Sequence, residues 1–188
     1  MTVDISEILR EWPLDPERNV RRIIGDDGSP KLQVRLPLGV EQYELEGRPD
    51  GVRPGGADSY FALCRARLQA HVEQHGCEKG FSLAAEDCVK LRQESLLYYF
   101  RYLLCFQIGE YSLVDRDTRR NMDLFRFVHE FAERGEDRDA LNQYWPYIIR
   151  MNAMARAMDL AQRDAAGEAL EVVEEAVRQI NALDEVAN

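Results

Sequence analysis

Glycine and proline are scarce in this chain, twelve and seven among 188 residues, and six of the nineteen sit in one stretch, Gly47–Gly56. A chain so poor in breakers is neither fibrous nor disordered, and it reads as a globular protein rich in helix formers. Histidine occurs three times, at His71, His75 and His129. Together with the lack of a phosphate-binding glycine loop, a dinucleotide-type glycine pattern or a nucleophile elbow, this removes the standard hydrolases and kinases. Carboxylate-only chemistry offers no handle, because acids are too numerous to single out. The four cysteines, Cys64, Cys77, Cys88 and Cys105, contain no CxxC pair, so they read as reduced and mostly buried thiols. No uncharged run reaches the roughly 18 residues that a membrane span needs. The start, Met1 to Glu7, has neither the basic nor the apolar segment of a signal peptide. The cytoplasm is therefore the expected location.

Positive charge is also in the minority. Twenty-four bases face 34 acids, a formal charge of −10, which disfavours general binding to nucleic acid or anionic membrane. What the chain does have is 45% hydrophobic residues over a length sufficient for one real core. Glu94 to Gly109 carries large apolar side chains at consecutive positions rather than on one stripe, the pattern of a helix covered on nearly every side. The leucines and Phe100 are expected to seal the core there.

The expected fold class is mainly α with a small N-terminal antiparallel β-meander. Residues 1–47 form a short helix, Asp4 to Trp12, and three strands: Val20 to Ile24, Leu32 to Leu36, and Val40 to Leu45, the first two joined by a Gly/Asp turn. Residues 48–56 are the Gly/Pro loop, and 57–188 a five-helix array that forms one compact unit with the meander. The helices are read at Ala57 to Gly76, Ser82 to Gly109, Tyr111 to Arg134, Arg138 to Arg163 with a kink tolerated at Pro146, and Gly167 to Leu183. The last is expected to bury Leu170, Val173, Val177 and Ile180.

Three clusters bear on function. His71 and His75 lie one helical turn apart and, with Cys77 and Cys64, make the best metal set, although neither a zinc-finger spacing nor His-Glu-x-x-His is present. The same positions also suit the edge of an apolar stripe. Glu94, Tyr98 and Arg101, followed by Cys105, share one face of the central helix and form its only polar strip, which reads first as the helix's solvent side or as a pairing with a neighbouring helix and is also the first place to look for a partner. Tyr98, Tyr99, Tyr102 and Tyr111 supply rigid amphipathic surface of the kind that lines a groove. In the hairpin, outward arginines such as Arg21 and Arg35 suit phosphate contacts, but without aromatic interleaving or a recognition motif they read first as a solvated face.

Leu103 to Tyr111 and Leu160 to Leu170 each place a short bend between two long apolar segments. This arrangement resembles the tetratricopeptide-type helical hairpin, with Ala169 at the small position and Asp164 where the second bend calls for glycine. Two ordinary antiparallel helix pairs fit the same residues. The N-terminal segments Arg22 to Gly28, Lys31 to Arg35 and Glu46 to Gly51 resemble an uncharacterised bacterial family labelled by a UvrB/UvrC-type helical motif. That motif is absent from these residues, so no repair function is carried over. The function expected is a non-enzymatic scaffold with no cofactor, binding a protein or peptide partner between helices. The alternatives are a metal site or enzyme near His71, His75 and Cys77, and a nucleic-acid adaptor using Arg21 and Arg35.

Overall fold

A computed structural model describes residues 4–186, with side chains to Leu183. A short helix α1 (Ser6–Glu11) precedes strands β1 (Val20–Ile24), β2 (Pro30–Leu36) and β3 (Gly39–Glu44). Five long helices follow, α2 (Tyr60–His75), α3 (Ala85–Gln107), α4 (Tyr111–Phe131), α6 (Trp145–Ala161) and α7 (Ala166–Val186), with one extra turn, α5 (Gly135–Asp139). The expected class, mainly α with a three-stranded antiparallel meander, is what the chain adopts.

The strands pair in the order β1-β2-β3, with Leu32 facing Arg22 on one side and Tyr43 on the other. Side chains alternate faces along a strand, so Leu32 and Val34 leave β2 together and meet Tyr43 and Leu45. Tyr102 and Cys105 of α3, Val114 of α4, and Met151 and Ala155 of α6 cover that apolar face. A second core, around Phe61, Leu91, Leu124, Phe127 and Ile148, fills the space among α2, α3, α4 and α6.

Several elements begin or end where a local rule demands it. Ser59 caps α2 by accepting the Ala62 N–H at 3.0 Å, and Gly76 ends it in the left-handed region. The helix expected over Arg138 to Arg163 starts only at Trp145. Pro146 lies in its first turn, where the missing N–H costs nothing, so it opens the helix and does not kink it. The break expected at Gly135-Glu136-Asp137 is instead the single turn α5, held by Arg134 on Asp137 at 2.7 Å.

The α3–α4 and α6–α7 hairpins close with the same hydrogen bonds. Gly109 N–H reaches Phe106 O and Glu110 N–H reaches Cys105 O; Asp164 N–H reaches Ala161 O and Ala165 N–H reaches Leu160 O. Gly109 and Asp164 hold the same left-handed backbone, φ 78° and 59°. The internal echo is thus a repeated helix end, with an aspartate occupying the glycine position at the second.

In α7 the orientation departs from expectation. Leu170, Val173 and Val177 are exposed, while Val172, Ala176 and Ile180 face Ile149 and Ala153 of α6. Small residues on both sides let the backbones approach, so the alanine stripe turns inward and the larger stripe is left at its flank.

The left-handed cost falls on Asp164 and is absent at Gly109, where an added Cβ would meet no atom within 4 Å. Asp164→Gly is expected to raise stability by about 1 kcal/mol and Gly109→Ala to lower it by about as much, read as opposite shifts in the thermal midpoint. A second test concerns Asp87, which joins α2 to α3. Burial works to raise its pKa, but the Arg67 fork and the Tyr60 hydroxyl outweigh burial and leave it below the usual carboxylate value. A depressed folded pKa stabilises above the unfolded value of about 3.9 and is lost as pH falls through the folded one. Asp87→Asn should therefore be less stable at pH 7 and show a shallower loss of stability below about pH 4 in urea titrations.

Candidate functional site

The central helix α3 is turned opposite to its hydrophobic pattern. Glu94, Tyr98 and Arg101 are 0%, 5% and 1% exposed, whereas Leu96 and Phe100 are 47% and 48% exposed. The polar strip is not a surface for a partner; it is the inside of the protein.

Each member of the strip has a structural task. Glu94 accepts the N–H groups of Tyr60 at 2.6 Å and Phe61 at 3.0 Å, the first two donors of α2, which no intrahelical carbonyl can satisfy. Its charge is balanced by Arg120, in direct contact, and by Arg48 at 3.5 Å. Arg101 forks onto Asp117 of α4 at 2.7 and 2.8 Å and donates to the carbonyls of Glu44 and Gly47 at 2.8 and 2.9 Å. Arg116 adds a bond to Leu45 O and a second to Asp117. The chain from Glu44 to Gly47 is thereby strapped onto the α3–α4 hairpin by three carbonyls. Tyr98 separates the two buried guanidiniums, with Arg120 3.8 Å and Arg101 4.7 Å from its ring centroid. Burial pushes the Arg120 guanidinium down and the Tyr98 hydroxyl up.

The metal set does not assemble. His71 and His75 stack with ring centroids 4.4 Å apart, and His71 Nε2 is engaged with Lys79 O at 3.1 Å. Cys64 is fully buried, its thiol pushed up to about 11 by burial, while Cys77 stands exposed beyond the left-handed Gly76. Among the described residues no three His, Cys, Asp or Glu side chains come together as metal ligands.

The hairpin arginines are spent as well. Arg35 is 6% exposed and donates to the carbonyls of Trp12, Leu36 and Gly39; Arg21 stacks on Trp12, 4.0 Å from the ring, and forks onto Gln33. They fasten the segment after α1 to the sheet and leave no phosphate-facing pair.

What the orientation of α3 does expose is a groove of about 500 Å³ between α3, α4 and the start of α6. Leu96, Tyr99, Tyr144 and Tyr147 form its walls, and Tyr102, Phe125, Leu141 and Ile148 its floor. Two polar side chains at the bottom are already used. Asn121 donates to Ser95 O at 2.9 Å and accepts from Arg120, and Ser95 Oγ donates to Arg92 O. Burial, and then the neighbouring Tyr99, push Tyr147 up to about 12. A larger cleft of about 580 Å³ between α4, α6 and α7 is lined mainly by charged groups, among which Asp115 already pairs with Arg119 and Asn152. The groove offers the larger uncompensated apolar surface and is the stronger candidate.

Tyr99 and Tyr102 belong to the tyrosines that suggested a groove in the sequence; Tyr144 and Tyr147 were missed. Their signal was the run Tyr144-Trp145-Pro146-Tyr147, which a helix drawn straight through Pro146 conceals.

Removing either partner of the Arg101–Asp117 pair strands a buried charge. Asp117→Asn and Arg101→Met are each expected to cost about 3–5 kcal/mol in urea unfolding. Combining Arg101→Met with Asp117→Leu should cost less than the sum of the single losses, because no charge is left unpaired. No protein-family model, curated protein or solved structure matches the chain.

Proposed function

We propose that this protein is a non-enzymatic binding module whose groove between α3 and α6 takes apolar side chains from a peptide segment of a protein partner. The observation that carries this reading is the groove itself: aromatic and aliphatic walls over a largely apolar floor, beneath which Asn121 and Ser95 are internally bonded. Such a surface gains by excluding water. The tyrosines fit the same use. They are rigid and amphipathic, and the buried Tyr102 and Tyr147 hydroxyls are held protonated by burial rather than activated.

Two other features support a scaffold. The α3–α4 and α6–α7 hairpins, ended by matching bonds, are read as degenerate tetratricopeptide-type units, a design that commonly presents grooves between helices. Leu96 and Phe100 also extend the apolar surface along α3 beyond the groove, as a helix or extended segment lying across it requires.

The test is selection of random twelve-residue peptides on the immobilised full chain, followed by affinity measurement in solution. Selected peptides should carry two or more large apolar residues within one or two helical turns. Leu96→Lys, at an exposed position that barely affects folding, should weaken them about tenfold or more with an unchanged thermal midpoint. Failure to select any peptide, or selected peptides indifferent to Leu96→Lys, would overturn the proposal.

A further inference from the structure

We infer that the partner segment is acidic beside its apolar anchors, and that Arg92 and Arg150 are the residues that read its carboxylates. The inference rests on the groove being a peptide site and specifies the chemistry that site accepts.

The argument begins with a local reversal of charge. The chain carries ten more acids than bases, yet no Asp or Glu lines this groove and its single charged lining residue is Arg92. Arg92 is exposed at the mouth and makes no ion pair and no side-chain hydrogen bond among the described residues. That sets it apart from Arg48, Arg67, Arg101, Arg116 and Arg120, each of which is fixed on a carboxylate. Behind the opposite wall and outside the lining itself, the exposed guanidinium of Arg150 lies 5.4 Å from the centroid of the Tyr147 ring, and it too has no acidic partner among the described residues.

The geometry then limits what these cations can select. Asn121 and Ser95 are satisfied below, so direction and polarity must be read at the rim rather than at the floor. A guanidinium presents a planar fork matched to a carboxylate, and one resting on a tyrosine ring keeps that fork partly ordered. An apolar segment flanked by Asp or Glu satisfies both levels of the groove, its side chains sealing the tyrosine walls while its carboxylates meet the two arginines. A lysine-flanked segment of equal hydrophobicity meets like charge at the same points. Rim charges of this kind govern encounter rate and partner choice more than total contact energy, and they weaken with salt.

The experiment uses the full chain and three fluorescein-labelled peptides with one shared Leu/Phe core, flanked by four Glu, four Gln or four Lys. At about 0.05 M salt the Glu peptide should bind about tenfold more tightly than the Gln peptide, and the Lys peptide most weakly. The preference should shrink to about twofold or less at about 0.5 M salt. Arg92→Gln with Arg150→Gln should abolish the preference, bringing the Glu peptide's affinity down to that of the Gln peptide with an unchanged thermal midpoint, which separates charge reading from damage to the fold. Equal binding of all three peptides, lost in Leu96→Lys, would overturn the acidic-partner inference and leave the binding module standing. Binding of none of them at low salt would overturn both.

Discussion

The guanidinium of Arg101 is the constraint on which the arrangement depends. It lies inside the protein, where a charge without a partner costs several kcal/mol, and four of its five N–H directions are used. Two of those bonds go to Asp117 across the α3–α4 hairpin and two to carbonyls at the end of β3. One side chain thus fixes the separation of two helices and the position of the sheet edge at the same time. Glu94, two turns earlier on the same face, repeats the logic by holding the first N–H groups of α2. Meander, loop, α2 and α4 are all referred to one face of α3.

That commitment explains what the other face of α3 can do. A helix whose polar strip is consumed internally must show some of its apolar residues to solvent, and Leu96, Tyr99 and Phe100 are the ones shown. The groove is the reverse side of the strap. Its tyrosine walls follow from Pro146, which fixes the first turn of α6 and so places Tyr144 and Tyr147 against α3. Both walls of the groove are thus set by helices, which would lower the ordering cost of accepting the proposed partner.

The legible parts of the fold were those encoded locally. Alternation over Leu32, Val34 and Leu36, the Gly/Asp turn, the Gly/Pro stretch and the long apolar segments each specify an element through its own neighbours. The orientation of α3 was not legible, because large apolar residues lie on several of its sides, and the partners of Glu94 and Arg101 are backbone groups and side chains distant in sequence. In α7 two apolar stripes compete, and Ala176 prevails over Val173 and Val177 through close approach to Ala153, a property of the pair and not of either helix. Cys64 and His71 share a sequence face, yet Cys64 is fully buried and His71 only partly. The candidate site was legible only through Tyr99 and Tyr102, since the opposite wall comes from residues some forty positions away.

The cover of the sheet also sets an order of events during synthesis. Leu32, Val34, Tyr43 and Leu45 emerge early, but Met151 and Ala155, which close over them, lie more than a hundred residues later. Until the ribosome has made α6, the apolar side of the meander has no complete lid, and three short strands by themselves are marginal. The α3–α4 and α6–α7 hairpins, whose contacts are local, can form as they appear. The meander is therefore made long before it is sealed, and a nascent chain stalled before residue 151 presents a greasy sheet to whatever waits at the tunnel exit.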